Sequence, residues 1–206
     1  MNDFLTICAD VGSVPKGNFG WWSSNGPSGD RPSTLVDYLV SALDDGKPVA
    51  LGFECPLFLP LHHDEMYLTN GRPGERSRAW SATAGCGALA TGLVEVAWVL
   101  RETGLRLNSP TQAYLSWDSF VAAGTGLFLW EAFVSGKEKG ANHIADAELG
   151  ARALMNALPN PKAANAVACE SEVYSLVGAA LLRTGWTTDI SVLQQPCLVL
   201  RALASG

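Results

Sequence analysis

Asp3-Phe4-Leu5-Thr6-Ile7-Cys8-Ala9-Asp10-Val11-Gly12 is an apolar run that closes on an acid and a glycine. Residues 3 to 11 read as a strand buried on both faces and ended by Gly12. Placing Asp10 at the end of such a strand is costly. An ionised carboxylate loses on the order of several kcal/mol on leaving water unless it is paired or bound to a cation. The stretch therefore sets two expectations together: a buried strand, and an acid with a task at its carboxyl end.

The chain alternates on either side of later strands. Residues 17 to 22 (GNFGWW) form a hairpin-paired strand after a Gly/Pro turn, and residues 23 to 32 a loop. Ser33 or Thr34 caps a helix in which Leu35, Val36, Leu39, Val40 and Leu43 recur at helical spacing until Gly46. The run VALGFECPLFLPL opens a second buried strand, which Pro56 ends because it has no N–H for a central ladder. Residues 61 to 80 form an Arg-rich loop over one face. Residues 82 to 103 follow as a helix rich in small residues, with Leu89, Leu93, Val96, Ala97 and Leu100 on one stripe. Ser109 to Ala123 reads as helix and Leu127 to Val134 (LFLWEAFV) as a strand carrying Glu131. Helices at 144 to 157 and 166 to 184 and a short last strand at 197 to 201 complete the series. Such alternation implies one α/β domain over residues 1–206, a largely parallel or mixed sheet flanked by helices.

Composition narrows the classes further. Hydrophobic residues at 48% against 17% charged supply a core and exclude a disordered chain. The 7 Trp read mostly as core packing. A net charge of −6 weighs against tight non-specific nucleic-acid binding, although Arg72, Arg76 and Arg78 offer a local basic patch. The 5 Cys are dispersed, without a CxxC pair or zinc spacing, as buried thiols in a reducing, cytoplasmic compartment would be. No apolar run reaches the roughly 18 residues of a membrane span, and the acidic start does not read as a signal peptide.

Acids interrupt the apolar strands at Asp10, Glu54 and Glu131. Strand carboxyl ends in an open α/β sheet converge on a ligand crevice, where clustered carboxylates attract a hard cation such as Mg²⁺ or Mn²⁺. Asp10 also serves as a turn former, and Glu131 suits an edge strand facing solvent. Asp146 and Glu148 read as the solvated face of their helix. Glu170 and Glu172 lead the next helix, where acids favour the macrodipole. His62-His63-Asp64 has metal-binding residue types but crowds them into adjacent loop positions. Neither a GxSxG elbow nor a GxxxxGK[ST] phosphate loop occurs.

The order of these elements resembles the ribonuclease-H-like predicted nucleases, and most closely the group known as domain of unknown function 429. The resemblance rests on the strand ending in Asp10, the following Gly-Trp strand, Glu54-Cys55-Pro56-Leu57, and Arg72-Pro73-Gly74-Glu75-Arg76-Ser77-Arg78. Glu131-Ala132-Phe133 and the acid-led helix from Glu170-Ser171-Glu172 into Leu176-Val177-Gly178-Ala179-Ala180-Leu181 extend it over most of the chain. It implies a ribonuclease-H-like fold in which Asp10, Glu54 and Glu172 bind divalent metal, with Glu131 a further catalytic acid. Arg76 and Arg78 would contact phosphate, and the substrate would be nucleic acid or a phosphate-containing small molecule. The chain departs from the group's pattern at Glu54, where Asp is usual, at Ser175, where a second Asp is expected, and at Phe133-Val134 in place of aromatic-Pro.

Two alternatives stand beside this reading. Asp10-Val11-Gly12-Ser13 also resembles the first phosphate loop of actin-like and sugar-kinase ATPases, which would make the chain a nucleotide-binding lobe. A non-catalytic interaction module that keeps the ribonuclease-H-like fold is the other.

Overall fold

The computed structural model describes residues 4–75, 79–134, 139–167 and 172–202. In chain order the strands and helices are β1 (Leu5–Asp10), β2 (Gly20–Ser23), β3 (Ser28–Gly29), α1 (Pro32–Asp44), β4 (Val49–Phe53), β5 (Phe58–Pro60) and α2 (Thr83–Arg106). They continue with β6 (Ala113–Tyr114), α3 (Trp117–Ala123), β7 (Leu127–Phe133), α4 (His143–Ala157), β8 (Val173–Ser175), α5 (Leu176–Thr184) and β9 (Val199–Arg201).

One mixed 7-stranded sheet carries the fold, in the order β3-β2-β1-β4-β7-β6, with β9 also on β7. The hairpin strands β2 and β3 run antiparallel beside β1, whereas β4 and β7 run parallel to it. In register, Ala9 pairs with Phe53 and Phe53 with Glu131. Both β6 and β9 pair with β7, so β7 is interior and Glu131 does not lie on an open edge.

Side chains alternate between the faces of a strand, and here each face has its own helical layer. Ile7, Ala9, Leu51, Phe53, Leu127 and Leu129 enter one core with Leu39 of α1, Val96 and Leu100 of α2, and Leu181 of α5. Cys8, Ala50, Phe128, Trp130 and Ala132 enter the opposite core, with Ala151 and Leu154 of α4 and Phe120 of α3. The architecture is α/β, a mixed sheet between helices. Its β1 is buried at every residue, as a central strand must be.

Several boundaries differ from the sequence expectation, each for a local reason. Helix α1 starts at Pro32 with Arg31 at its N-cap; the Thr34 hydroxyl donates to Arg31 O at 2.9 Å and accepts from the Trp21 indole N–H at 3.0 Å. After Pro56 the chain resumes as β5, which pairs antiparallel with β8. Ser109 to Ala123 is not one helix: Tyr114 pairs with Phe128 in β6, and Ser116 then caps the shorter α3. The helix expected over 166–184 is helical only from Leu176 as α5: β8 occupies Val173–Ser175 before it, Ser175 caps α5 by accepting the Gly178 N–H, and residues 168–171 lie outside the described residues.

Helix α2 buries Gly92, Val96, Val99, Leu100 and Thr103 and leaves Leu93 exposed, so the apolar stripe is rotated from the expected one. It is also long and apolar enough, by length and composition alone, to cross a membrane, which corrects the expectation that no stretch is. In the structure one side of it packs on α1 and α5.

Candidate functional site

Asp10 follows Cys8 by two residues, and Glu54 follows Ala50 by four, so both carboxylates face the layer that contains α4. The Glu54 N–H donates to Ala9 O at 2.8 Å, which holds the two strand ends level. Gly20 lies opposite Asp10 in the hairpin, and a Cβ there would stand 2.4 Å from the backbone of His143. Only glycine lets α4 begin this close to the sheet.

Asn142 caps α4 by accepting the Ala145 N–H at 2.9 Å. That start sets His143 and Asp146 one turn apart on the same side of the helix. His143 Nδ1 lies 2.5 Å from Asp10 Oδ2. One ligand atom each from Asp10, His143 and Asp146 fall within 4.8 Å of one another, and both acids are buried. Lys139 Nζ stands 3.1 Å from Asp146 Oδ2 and 3.6 Å from Glu54 Oε1. A cleft of about 370 Å³ opens over Asp10, Glu54, Lys139 and His143, walled by Gly87, Ala88 and Thr91 of α2.

Burial dominates the electrostatics. It raises the pKa of Asp10, against the opposing pull of His143 and Lys139. Burial, the adjacent Asp10 and the nearby Asp146 push Glu54 up to about 9, with Lys139 acting the other way. At neutral pH Glu54 therefore holds a proton. Among the described residues, no N–H or O–H reaches the buried Oε2 of Glu54. Glu95 of α2 is raised to about 7 by burial, although the Gly12 N–H at 3.1 Å and the charge of Asp10 act in opposite senses. Carboxyls held protonated only for want of a counter-charge are what a cation would ionise.

Other expected site residues are placed differently. Glu131 has the opposite parity from Glu54, so its carboxylate points across the sheet. There Arg72 grips it in a bidentate ion pair at 2.8 and 2.6 Å, and Leu57 N–H donates to it at 3.0 Å. Glu75 also pairs with Arg72, and all of these side chains are buried. Glu131 therefore ties Arg72 and Leu57 to β7 while still lining the cleft, and Arg72 is an internal counterion instead of part of a basic surface patch. Glu172 is exposed and lies outside the cleft lining; its main-chain oxygen accepts from Leu61 N–H at 2.7 Å. Arg76 and Arg78 lie outside the described residues. Asp64 caps a short 3-10 turn by accepting the Met66 N–H, so it is not gathered with His62 and His63 around an ion. The Gly12 N–H, which a phosphate loop would offer to an anion, is taken by the Glu95 carboxylate.

Asp146 is buried in the site and not on a solvated helix face. His143, Lys139 and Glu95 escaped the sequence reading altogether. The available signal was His143-x-x-Asp146, an i,i+3 pair just after the good N-cap Asn142. Lys139 and Glu95 had none. Compared with family models, curated proteins and solved structures, the chain matches none.

Proposed function

We propose that this chain is a divalent-metal-dependent phosphoester hydrolase of nuclease type, with a ribonuclease-H-like fold. The observation that carries the reading is the convergence of Asp10, His143 and Asp146 within 4.8 Å at the carboxyl end of β1, with Glu54 beside them. The donor set fits Mn²⁺ or Mg²⁺: two carboxylates and one imidazole, in a cleft whose further acid, Glu54, lacks a donor at one buried oxygen among the described residues. A mixed sheet in which β2 and β3 run antiparallel on one side of β1, and β4 and β7 parallel on the other, supports the fold assignment.

When bound, such an ion supplies charge neutralisation at a phosphoester oxygen and acidifies water. The chain's own residues supply the rest. Asp10 and Asp146 provide the anionic ligands, and His143 is oriented by its contact with Asp10. Once ionised, Glu54 is available as a proton acceptor at the cleft floor. The walls on α2 are small (Gly87, Ala88), which leaves room for an extended substrate. Nucleic acid or a smaller phosphoester are the substrate classes this chemistry serves.

Calorimetric titration with Mn²⁺ tests the proposal, followed by hydrolysis of an activated phosphodiester. Wild type should bind and hydrolyse, while Asp10→Asn and Asp146→Asn lose both. A wild type that takes up neither Mn²⁺ nor Mg²⁺ would sink the metal-hydrolase reading and leave a non-catalytic interaction module.

A further inference from the structure

We propose that Lys139 is a built-in second cation of this site, so that the cleft takes one divalent ion and not two. The inference rests on the reading of Asp10, His143 and Asp146 as ion ligands. Two-ion phosphoester sites hold their ions about 3.5–4 Å apart, bridged by shared carboxylates. The Lys139 ammonium already stands in contact with the acids that a second ion would need. Its Nζ is 3.1 Å from Asp146 Oδ2 and 3.6 Å from Glu54 Oε1. Asp10 also lies within its electrostatic reach.

The lysine is anchored by its own backbone neighbour. The Gly140 N–H donates to Asp146 Oδ1 at 2.5 Å, so the segment that carries Lys139 is tied to the first turn of α4. A Cβ on Gly140 would come within 2.5 Å of Ala145 Cβ, so only glycine permits this approach. Asp146 thus accepts one bond on each oxygen and keeps lone pairs for an ion. Lys139 is 42% exposed, which leaves the far side of its ammonium open to the cleft. Charge balance points the same way. Asp10, Glu54 and Asp146 carry three negative charges when ionised, matched by one divalent ion and one ammonium. A second divalent ion beside Lys139 would instead leave an excess of buried positive charge.

The number of Mn²⁺ ions bound per chain, from equilibrium dialysis with the free ion followed by electron paramagnetic resonance, decides the matter. Wild type should bind one ion, Lys139→Met two, and Lys139→Arg, which keeps the charge, one. Thermal unfolding of each variant verifies that the fold is kept. Lys139→Gln serves as a second neutral variant if Lys139→Met is unfolded. Two ions in wild type, or one ion in both neutral variants, would overturn the role of Lys139 while leaving the ion site itself standing. No ion in any of the proteins would remove the site, and this inference with it.

Discussion

Glu131 lies directly beside Phe53 in the register of two parallel strands, one residue before Glu54. That offset of a single residue sends the two carboxylates to opposite faces of the sheet. On one side Glu54 meets Asp10, Lys139 and the first turn of α4; on the other Glu131 meets Arg72. One acid is left holding a proton for want of a full counter-charge, and the other is fully paired. Their consequences for stability therefore have opposite signs.

Glu54 costs stability. Below its ordinary value of 4.5 the carboxyl is protonated in folded and unfolded chains alike, so it contributes no difference. Between 4.5 and about 9 the unfolded chain releases the proton while the folded chain retains it, so stability falls as pH rises through that window. Glu54→Gln removes this dependence. The variant should be more stable than wild type at about pH 8, by roughly 1–3 kcal/mol, and no different at about pH 4. Urea denaturation across that range measures it, and an equal pH slope in both proteins would contradict the assignment.

Breaking the pair on the other face should do the reverse. Glu131→Gln leaves Arg72 buried with only Glu75 as an anionic partner, and such a loss costs about 3–5 kcal/mol. Mn²⁺ binding should persist in the folded fraction, because Glu131 is not among the converging ligands. If calorimetry shows Glu131→Gln as deficient in binding as Asp146→Asn, the two faces are not separate in function.

An imidazole among the ligands also sets a preference. Mg²⁺ favours all-oxygen sites, whereas Mn²⁺ accepts nitrogen more readily. Wild type should bind Mn²⁺ at least about 10-fold more tightly than Mg²⁺, and His143→Asp should narrow that ratio. Competition titrations give both numbers; an unchanged ratio would exclude His143 as a ligand.

The seat of α4 is testable without touching an ionisable group. Gly20→Val places a branched side chain where a Cβ alone would meet His143 at 2.4 Å. The helix start must shift outward, separating His143 and Asp146 from Asp10. We expect Mn²⁺ affinity to fall by about 10-fold or more, since ligation tolerates only about 0.2 Å of misplacement. Near-wild-type circular dichroism would show that the helices remain. Full retention of affinity would mean that the site does not depend on this contact.

Much of this protein could be read from local pattern. The unbroken apolar run to Asp10 required an interior strand, and Leu35, Leu39 and Leu43 required a helix with a buried side. Local pattern also put Asp10 and Glu54 at strand ends, but that they share a face follows from the register of β1 against β4, in which Ala9 pairs with Phe53. What the sequence could not supply was which distant groups wait on each face. Glu131 meeting Arg72 across 59 positions, and Asp10 meeting His143 across 133, are decided by strand register and by where α4 is seated. The solvated reading of Asp146 failed for the same reason: helical spacing identifies a face, but only packing says what covers it. The sequence by itself determined the long strands β1, β4 and β7, most of the helices and the position of the first two acids at strand ends. The short strands β3, β5, β6 and β8 were set by pairing partners elsewhere in the chain. The tertiary structure alone decided which charges meet, since the free energy of a buried charge depends on neighbours that no local pattern names.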